Sequence, residues 1–511
     1  MTGTLTQRPD PVVAHGPLEK LPPFRTFPVG GIAACFGVLE VAVSARYGFH
    51  RDELYFLACA RHLAWGYVDQ PPLVPGVAWL SVHLLGTSPQ AIRVLPALAG
   101  GATVVLCALM ARELGGAWRA QVLAALAAAT SPQLLATFHL LSTAAFDEFF
   151  WCAITFVFLR FLRTRRQFLW LVLGGLVGLG LLNKWNVGFL AIALAVGLVA
   201  GGRARVLLSP WPWAGAGIAL LFWLPNLAWN AHHQWAEVAM THSLHTENGG
   251  LAATLEFIPS QLLVVGPVLV VLWVAGLILL LRTRRWRPIG IAYVFLLVVF
   301  PLSGGKPYYL AGLYYVLFAA GGLWAERRLL ARRPPRGVRG WAALMIVGCV
   351  LAVPLSLPVL PASSLPRGSW EGNINKDLSA TLGWQAFVRQ VASVSHELPP
   401  AQRAHLVVFT GDYGAAGAID LWGAQYGLPH AISGHNSYWW WGPVGAHDRA
   451  TTIAVDVPRS YLLTVFSKVT SAGAVVTPDG VWTEERGDPI WICQDQKQPW
   501  VQAWPGARHY G

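Results

Sequence analysis

The sequence predicts a mainly α membrane protein, with about 11 transmembrane helices followed by a small α/β domain outside the membrane. Three observations lead there. The chain is 55% hydrophobic and only 12% charged, against about 25% charged residues in an ordinary soluble protein. Apolar runs near the roughly 20 residues needed to cross a bilayer occupy most of positions 29–358. Basic residues gather between alternate runs, at Arg160, Arg163, Arg165 and Arg166, at Arg203 and Arg205, at Arg282, Arg284, Arg285 and Arg287, and at Arg327, Arg328, Arg332, Arg333, Arg336 and Arg339. That pattern arises when short cytoplasmic loops retain Lys and Arg. The same composition excludes a soluble enzyme, a disordered chain and a collagen-like fibre. The net charge of +12 is confined to loops, so no nucleic-acid partner is expected.

Taken in order, a cytoplasmic tail over 1–28 carries Arg8, Lys20 and Arg25. Spans are expected at 29–46, 91–111, 120–138, 145–162, 168–183, 187–202, 212–230, 259–281, 289–303, 308–325 and 341–358. The tail and the inner loops then hold 21 Lys and Arg against four acids, Asp10, Glu19, Glu113 and Glu326, while the rest of the chain holds 16 against 21 acids. An odd number of spans places everything after residue 358 outside, and the charge asymmetry agrees. Pro-rich polar sequence precedes the first apolar run and no small-residue cleavage site follows it, so that helix is expected to remain as an anchor.

Residues 359–511 regain charge and lose long apolar runs. A β-type run from Leu406 to Phe409, a helical stretch from Gly414 to Gln425 and a second short apolar run alternate, and IAVDV, YLLTVF, GAVVT and IWICQ add strand-like pieces. Five of the six cysteines (Cys35, Cys59, Cys107, Cys152 and Cys349) lie in or beside the membrane part and Cys493 stands alone, so no disulfide framework is expected. No internal repeat, dinucleotide fingerprint, P-loop or nucleophile elbow is present.

Two outer loops, 47–90 and 231–258, are long and polar for a compact bundle, and long ordered loops are usually functional. In the first, Leu54, Leu57, Ala58 and Leu63 repeat at helical spacing. Asp52 and Glu53 therefore open an amphipathic helix at the membrane surface, where the helix dipole favours carboxylates. Either they merely cap that helix, or they belong to a site with Asp69 and the neighbouring Arg51, Arg61 and His62.

The Asp-Glu pair after the first span, the YVDQPPL segment with Tyr67, Asp69 and Gln70, the LLNKW segment ending a span, and GKPYYLAGLYYVLFAAG resemble the polytopic GT-C-type glycosyltransferases of the protein-mannosyltransferase and aminoarabinose-transferase superfamily. The likeness runs over most of 29–325. It implies a multi-pass cell-membrane enzyme that moves a sugar, with inversion, from a polyprenyl-phosphate donor to a glycan, lipid or protein acceptor of the cell envelope. Asp52 would then be the general base toward the acceptor hydroxyl, with Glu53 orienting it or an acceptor group. Asp69, with Gln70 and Tyr67 beside it, would sit near the sugar, an acceptor or a metal. Gln70 stands where the aminoarabinose branch often has Lys, so donor phosphate must be neutralised elsewhere. Lys184 and Lys306 are the substitutes, being costly charges at helix ends, with Tyr308 and Tyr309 beside Lys306 at a Gly- and Pro-broken end. Arg51, Arg61 and Arg93 are further phosphate candidates or partners of lipid headgroups.

The second loop gathers His232, His233, His242 and His245 with Glu237 and Glu247. His242 and His245, three apart, and His233 and Glu237, four apart, fit one helix face each. No cofactor is certain. A divalent metal held there with Asp69 is one option, and polar contacts to sugar or acceptor or a plain interfacial helix are the preferred ones. In SGHNSYWWWGP, residues 433–443, Tyr438 to Trp441 with His435 and Asn436 either border an acceptor path or serve as interfacial aromatics. The rival class is a transporter or flippase of lipid-linked sugars, against which stand the missing repeats and the placement of titratable residues toward one side.

Overall fold

The computed structural model describes residues 20–248, 250–329, 336–364, 376–477, 481, 483 and 485–510. Its helices run α1 Thr26–Val43, α2 Arg51–Arg61, α3 Leu73–Leu85, α4 Pro89–Glu113, α5 Trp118–Ala129, α6 Pro132–Phe138, α7 Thr143–Thr164, α8 Leu169–Leu181 and α9 Asn186–Ala200. They continue as α10 Pro210–His232, α11 Ala236–Asn248, α12 Leu251–Val265, α13 Val270–Arg282, α14 Arg287–Leu302, α15 Tyr314–Arg328 and α16 Arg336–Ser356. Every stretch expected to span is helical. By length and composition, four helices among the described residues are able to cross a membrane alone, or six if each of two bent pairs counts as one. The chain is a multi-pass membrane protein; Arg8, Arg332 and Arg333 of the charge pattern lie outside the described residues.

The bent pairs have sequence causes. Between α5 and α6 the axis turns by 56° at Thr130 and Ser131, just ahead of Pro132, which has no amide proton to continue the ladder. Between α12 and α13 it turns by 110° where Gly266, at φ 88°, precedes Pro267. Elsewhere glycine lets backbones touch. A Cβ on Gly174 of α8 would stand 2.2 Å from the Gly215 carbonyl of α10, and one on Gly276 of α13 would stand 2.0 Å from the Leu317 carbonyl of α15. Close backbone packing of this kind holds helices together where lipid offers no hydrophobic drive.

Both long loops are more helical than the sequence suggested. Residues 47–90 contain α2 and the apolar α3, leaving coil mainly between His62 and Pro72, and 231–258 is largely α11 and the start of α12. Apart from Asp69 and Gln70 in that coil, most polar residues there lie on helices, where their backbone groups stay bonded near a membrane.

The C-terminal unit holds a five-stranded sheet of order β2-β1-β3-β5-β4, with β1 Val407–Thr410, β2 Ala431–Ser433, β3 Thr452–Val455, β4 Phe466–Ala474 and β5 Pro489–Gln496. β1 pairs parallel with β2 and β3, and β5 pairs antiparallel with β3 and β4. Two strand expectations are corrected. YLLTVF forms the helix Arg459–Val465, because Pro458 opens a helical turn and buries Leu462 and Val465 on one face, and GAVVT supplies only the end of β4.

This unit sits on α2 through the helix Tyr413–Trp422. A Cβ on Gly417 would stand 2.8 Å from the Leu54 carbonyl carbon, and one on Gly414 would stand 2.3 Å from Arg51 Cγ. The helix therefore lies against α2 at backbone distance. Trp441 stacks on His62 with ring centroids 4.4 Å apart, and Ser437 Oγ accepts from the Val68 amide at 3.1 Å.

Candidate active site

The head of α2 organises the site. His50 is its N-cap and accepts from the Asp52 amide at 3.1 Å, while Glu53 Oε2 accepts from the His50 amide at 2.8 Å. A capping box of this kind fixes the first turn. Successive helical residues differ by about 100°, so the adjacent acids part company. Glu53 is fully buried and forms a two-pronged ion pair with Arg93 of α4, at 2.8 Å from Nε and 2.6 Å from Nη2. It also accepts from the Leu141 amide at 2.9 Å. Arg93, 2% exposed, further donates to the carbonyls of Ser44 and Gly48. Its expected role at phosphate or lipid headgroups is thereby corrected, because every arm of the guanidinium is engaged inside the protein. Glu53, saturated by the same network, orients α2 and has no oxygen left for a substrate.

Asp52 keeps 38% of its side chain exposed. Its Oδ1 accepts from the Tyr413 hydroxyl at 2.7 Å, and Oδ2 lies 3.9 Å from His50 Nδ1. Burial works to raise this carboxyl, but His50, Arg51 and the Tyr413 hydroxyl outweigh it and hold it below the usual carboxylate range. Asp52 is ionised at neutral pH. Asp69 shares its neighbourhood and accepts from the Tyr55 hydroxyl at 2.8 Å, and burial pushes it up to about 6. Two carboxylates thus sit in one site with their acidities set apart. Gln70, 2% exposed, has neither amide atom paired, in keeping with a contact to a ligand.

A second cluster forms where the expected phosphate ligands lie. Lys184, just past α8, places Nζ 4.5 Å from the Tyr309 ring centre and 5.6 Å from that of Tyr308. Lys306 caps the short turn Pro307–Leu313 that carries both tyrosines, and among the described residues its ammonium has no hydrogen-bond or ion-pair partner. Beneath them α7 supplies two buried acids that sequence reading passed over. Asp147 accepts from Asn186 Nδ2 at 2.8 Å, and Glu148 accepts from Gln133 at 2.7 Å, Thr137 at 3.0 Å and the Tyr315 hydroxyl. The signal was present, since adjacent acids inside an apolar span are functional or structural candidates by default.

Other expectations are corrected. Tyr67 is buried, with its hydroxyl accepting from the Ala64 amide and donating toward the Cys59 and His62 carbonyls, so it closes the end of α2 rather than touching sugar. Arg61 donates to the Asp420 carbonyl at 3.1 Å, tying α2 to the C-terminal domain. His233 and Glu237 do not share a helix face, because the chain breaks at Gln234 and Trp235, both near φ 56–57°. His233 stacks on Trp229, and Glu237 accepts from Asn226 Nδ2 at 3.1 Å. His242 is exposed on α11, while the His245 and Glu247 side chains lie outside the described residues. Among the described residues no three His, Cys, Asp or Glu side chains converge as metal ligands. Of the aromatic run, Tyr438 donates to Asp420 at 2.8 Å and Trp439 to the Trp504 carbonyl at 3.0 Å, so these rings pack the domain. Tyr413, which reaches Asp52 from 361 residues away, had no local signal at all.

Residues 69–229 match the model of the dolichyl-phosphate-mannose-protein mannosyltransferase family. The lipopolysaccharide core galacturonosyltransferase RgtB of Rhizobium johnstonii is 27% identical over 202 residues, 39% of this chain and 41% of that protein. The lipid A galacturonosyltransferase RgtD of the same organism is 29% identical over 229 residues, covering 43% and 47%. The chain thus spans less than half the length of these curated relatives. Among solved structures, ArnT from Cupriavidus metallidurans bound to undecaprenyl phosphate superposes with a TM-score of 0.60 at 14% identity, over 92% of this chain and 98% of that one. Its apo form gives 0.57. The resemblance to polytopic GT-C-type glycosyltransferases holds, and the fold is that of ArnT, a mostly helical body with a small sheet-bearing unit at the C-terminus.

Proposed function

We propose that the protein transfers a sugar from a polyprenyl phosphate to a lipid or glycan acceptor of the cell envelope, on the outer face of the membrane. Asp52 carries this reading: an ionised, part-exposed carboxylate held by a tyrosine hydroxyl and flanked by His50 and Arg51. It takes the proton of the acceptor hydroxyl as the new oxygen–C1 bond forms and the C1–oxygen bond to the lipid phosphate breaks, which inverts C1. The departing phosphate is already an anion, so stabilising its charge suffices. Lys184 and Lys306, with Tyr308 and Tyr309, are the groups for that task, and the unpaired amide of Gln70 and the Asp69 carboxyl suit sugar hydroxyls. The undecaprenyl phosphate held by ArnT and the galacturonosyltransferase activity of the two relatives support this donor and acceptor class. Both relatives being transferases, the flippase reading loses ground.

The test is release of undecaprenyl phosphate, and transfer of labelled sugar to lipopolysaccharide, by the purified full chain in nanodiscs, beginning with undecaprenyl phosphate-linked galacturonate. No transfer with any lipid-linked sugar would sink the proposal. Lys184→Ala or Lys306→Ala should weaken undecaprenyl phosphate binding by about 10-fold or more, the scale of a lost hydrogen bond to a charged group. Unchanged binding in both would leave the two lysines as headgroup anchors. For topology, in a cysteine-free background a single cysteine at position 285 should be shielded from an impermeant thiol reagent in intact cells, and one at the exposed position 403 should be labelled.

A further inference from the structure

Apart from Asp52 itself, the residue most directly applied to it comes from the other domain. We propose that Tyr413 is a positioning residue of the transfer reaction: its hydroxyl holds one oxygen of Asp52 so that the other is presented to the acceptor, which makes the C-terminal domain a wall of the active site. This rests on Asp52 being the base.

Geometry carries the inference. The Tyr413 hydroxyl donates to Asp52 Oδ1 at 2.7 Å, within the range of strong charge-assisted bonds. The phenol has little freedom to be anywhere else. Arg51 lies over its ring at 5.5 Å, Tyr55 packs beside it at 4.8 Å and His435 at 4.7 Å. Its backbone is set by Asp412, whose Oδ1 caps the helix Tyr413–Trp422 by accepting from the Gly414 and Ala415 amides at 2.6 and 3.2 Å. His435 Nδ1 in turn lies 3.5 Å from the other Asp412 oxygen. The glycine contacts with Arg51 and Leu54 lock this helix to α2, so donor and acceptor of the key bond belong to one rigid pair. The ionisable groups facing Asp52 are His50 and Arg51 on its own segment, Tyr413 and Asp412 from the C-terminal helix, and Asp69 from the loop after α2.

A donor to the ionised carboxylate lowers its pKa. Removing that donor raises the pKa, so the base becomes protonated at a higher pH and the acidic limb of the rate profile moves upward. Tyr413→Phe should therefore lower kcat about tenfold and raise the midpoint of the acidic limb by about one pH unit, with the donor KM nearly unchanged. Replacing Tyr413 by 3-fluorotyrosine, isosteric but more acidic and thus a stronger donor, should move the limb the other way. Trp441→Leu, which loosens domain docking at His62 without touching Asp52, should lower the melting temperature and leave the limb in place. A wild-type limb in both Tyr413 variants would overturn the inference. If Asp52→Asn is inactive while Tyr413→Phe matches wild type, this inference alone falls; if Asp52→Asn is active, the base assignment falls with it.

Discussion

Asp52→Asn should reduce sugar transfer by 10²–10⁴-fold, the range associated with a base acting in the transition state. The substitution is nearly isosteric, and the Tyr413 hydroxyl can still donate to the amide oxygen, so the head of α2 should keep its shape. Binding of undecaprenyl phosphate should change little, because the residues proposed for phosphate lie on another cluster. Transfer at the wild-type rate would remove Asp52 from the mechanism. The pH profile gives a second reading: Asp52 lies below the usual carboxylate range, so protonation of this residue limits the rate only in strongly acidic solution. A loss of activity near pH 6 points instead to Asp69.

Glu53→Gln should behave in the opposite manner, damaging the protein rather than the chemistry alone. It strips the charge from a fully buried carboxylate and leaves Arg93 buried without its counter-ion. Breaking a buried pair from one side typically destabilises by about 3–5 kcal/mol. Arg93→Ala should do the same from the other side. Both variants should show a lower melting temperature and reduced recovery as a monodisperse species in detergent, whereas Asp52→Asn should match wild type in both assays. A Glu53→Gln protein of normal stability and low activity would place Glu53 in the catalytic machinery after all.

That contrast marks how far the sequence could be read. Apolar length and loop charge were enough to locate the long apolar helical stretches but not α3 or α11, because each signal is summed over many residues. The helix at Asp52 was legible from its period, and Lys184, Tyr308 and Tyr309, expected at one site, lie together. What a linear reading lacked was facing. Asp52 and Glu53 are one residue apart, and only the position of Arg93, 40 residues on, settles which acid is sunk. The breaks at Pro132 and Gly266–Pro267 had local causes but were absorbed into continuous apolar runs. Tyr67 was drawn toward the site by proximity in sequence, although its hydroxyl is used to fasten backbone. Tyr413 was invisible, since nothing in FTGDYGAAG indicates which membrane segment it will meet.

The backbone contact of Gly414 and Gly417 with α2 also orders the protein in time. The ribosome adds about 5–20 residues per second, so the 361 residues separating Asp52 from its tyrosine partner correspond to roughly 20–70 s of synthesis. Through that interval the segment carrying Asp52 has been made, with His50, Arg51 and Asp69 beside the acid but no tyrosine hydroxyl on it. On the proposed reading, the nascent chain therefore lacks one wall of its active site until its last part is made.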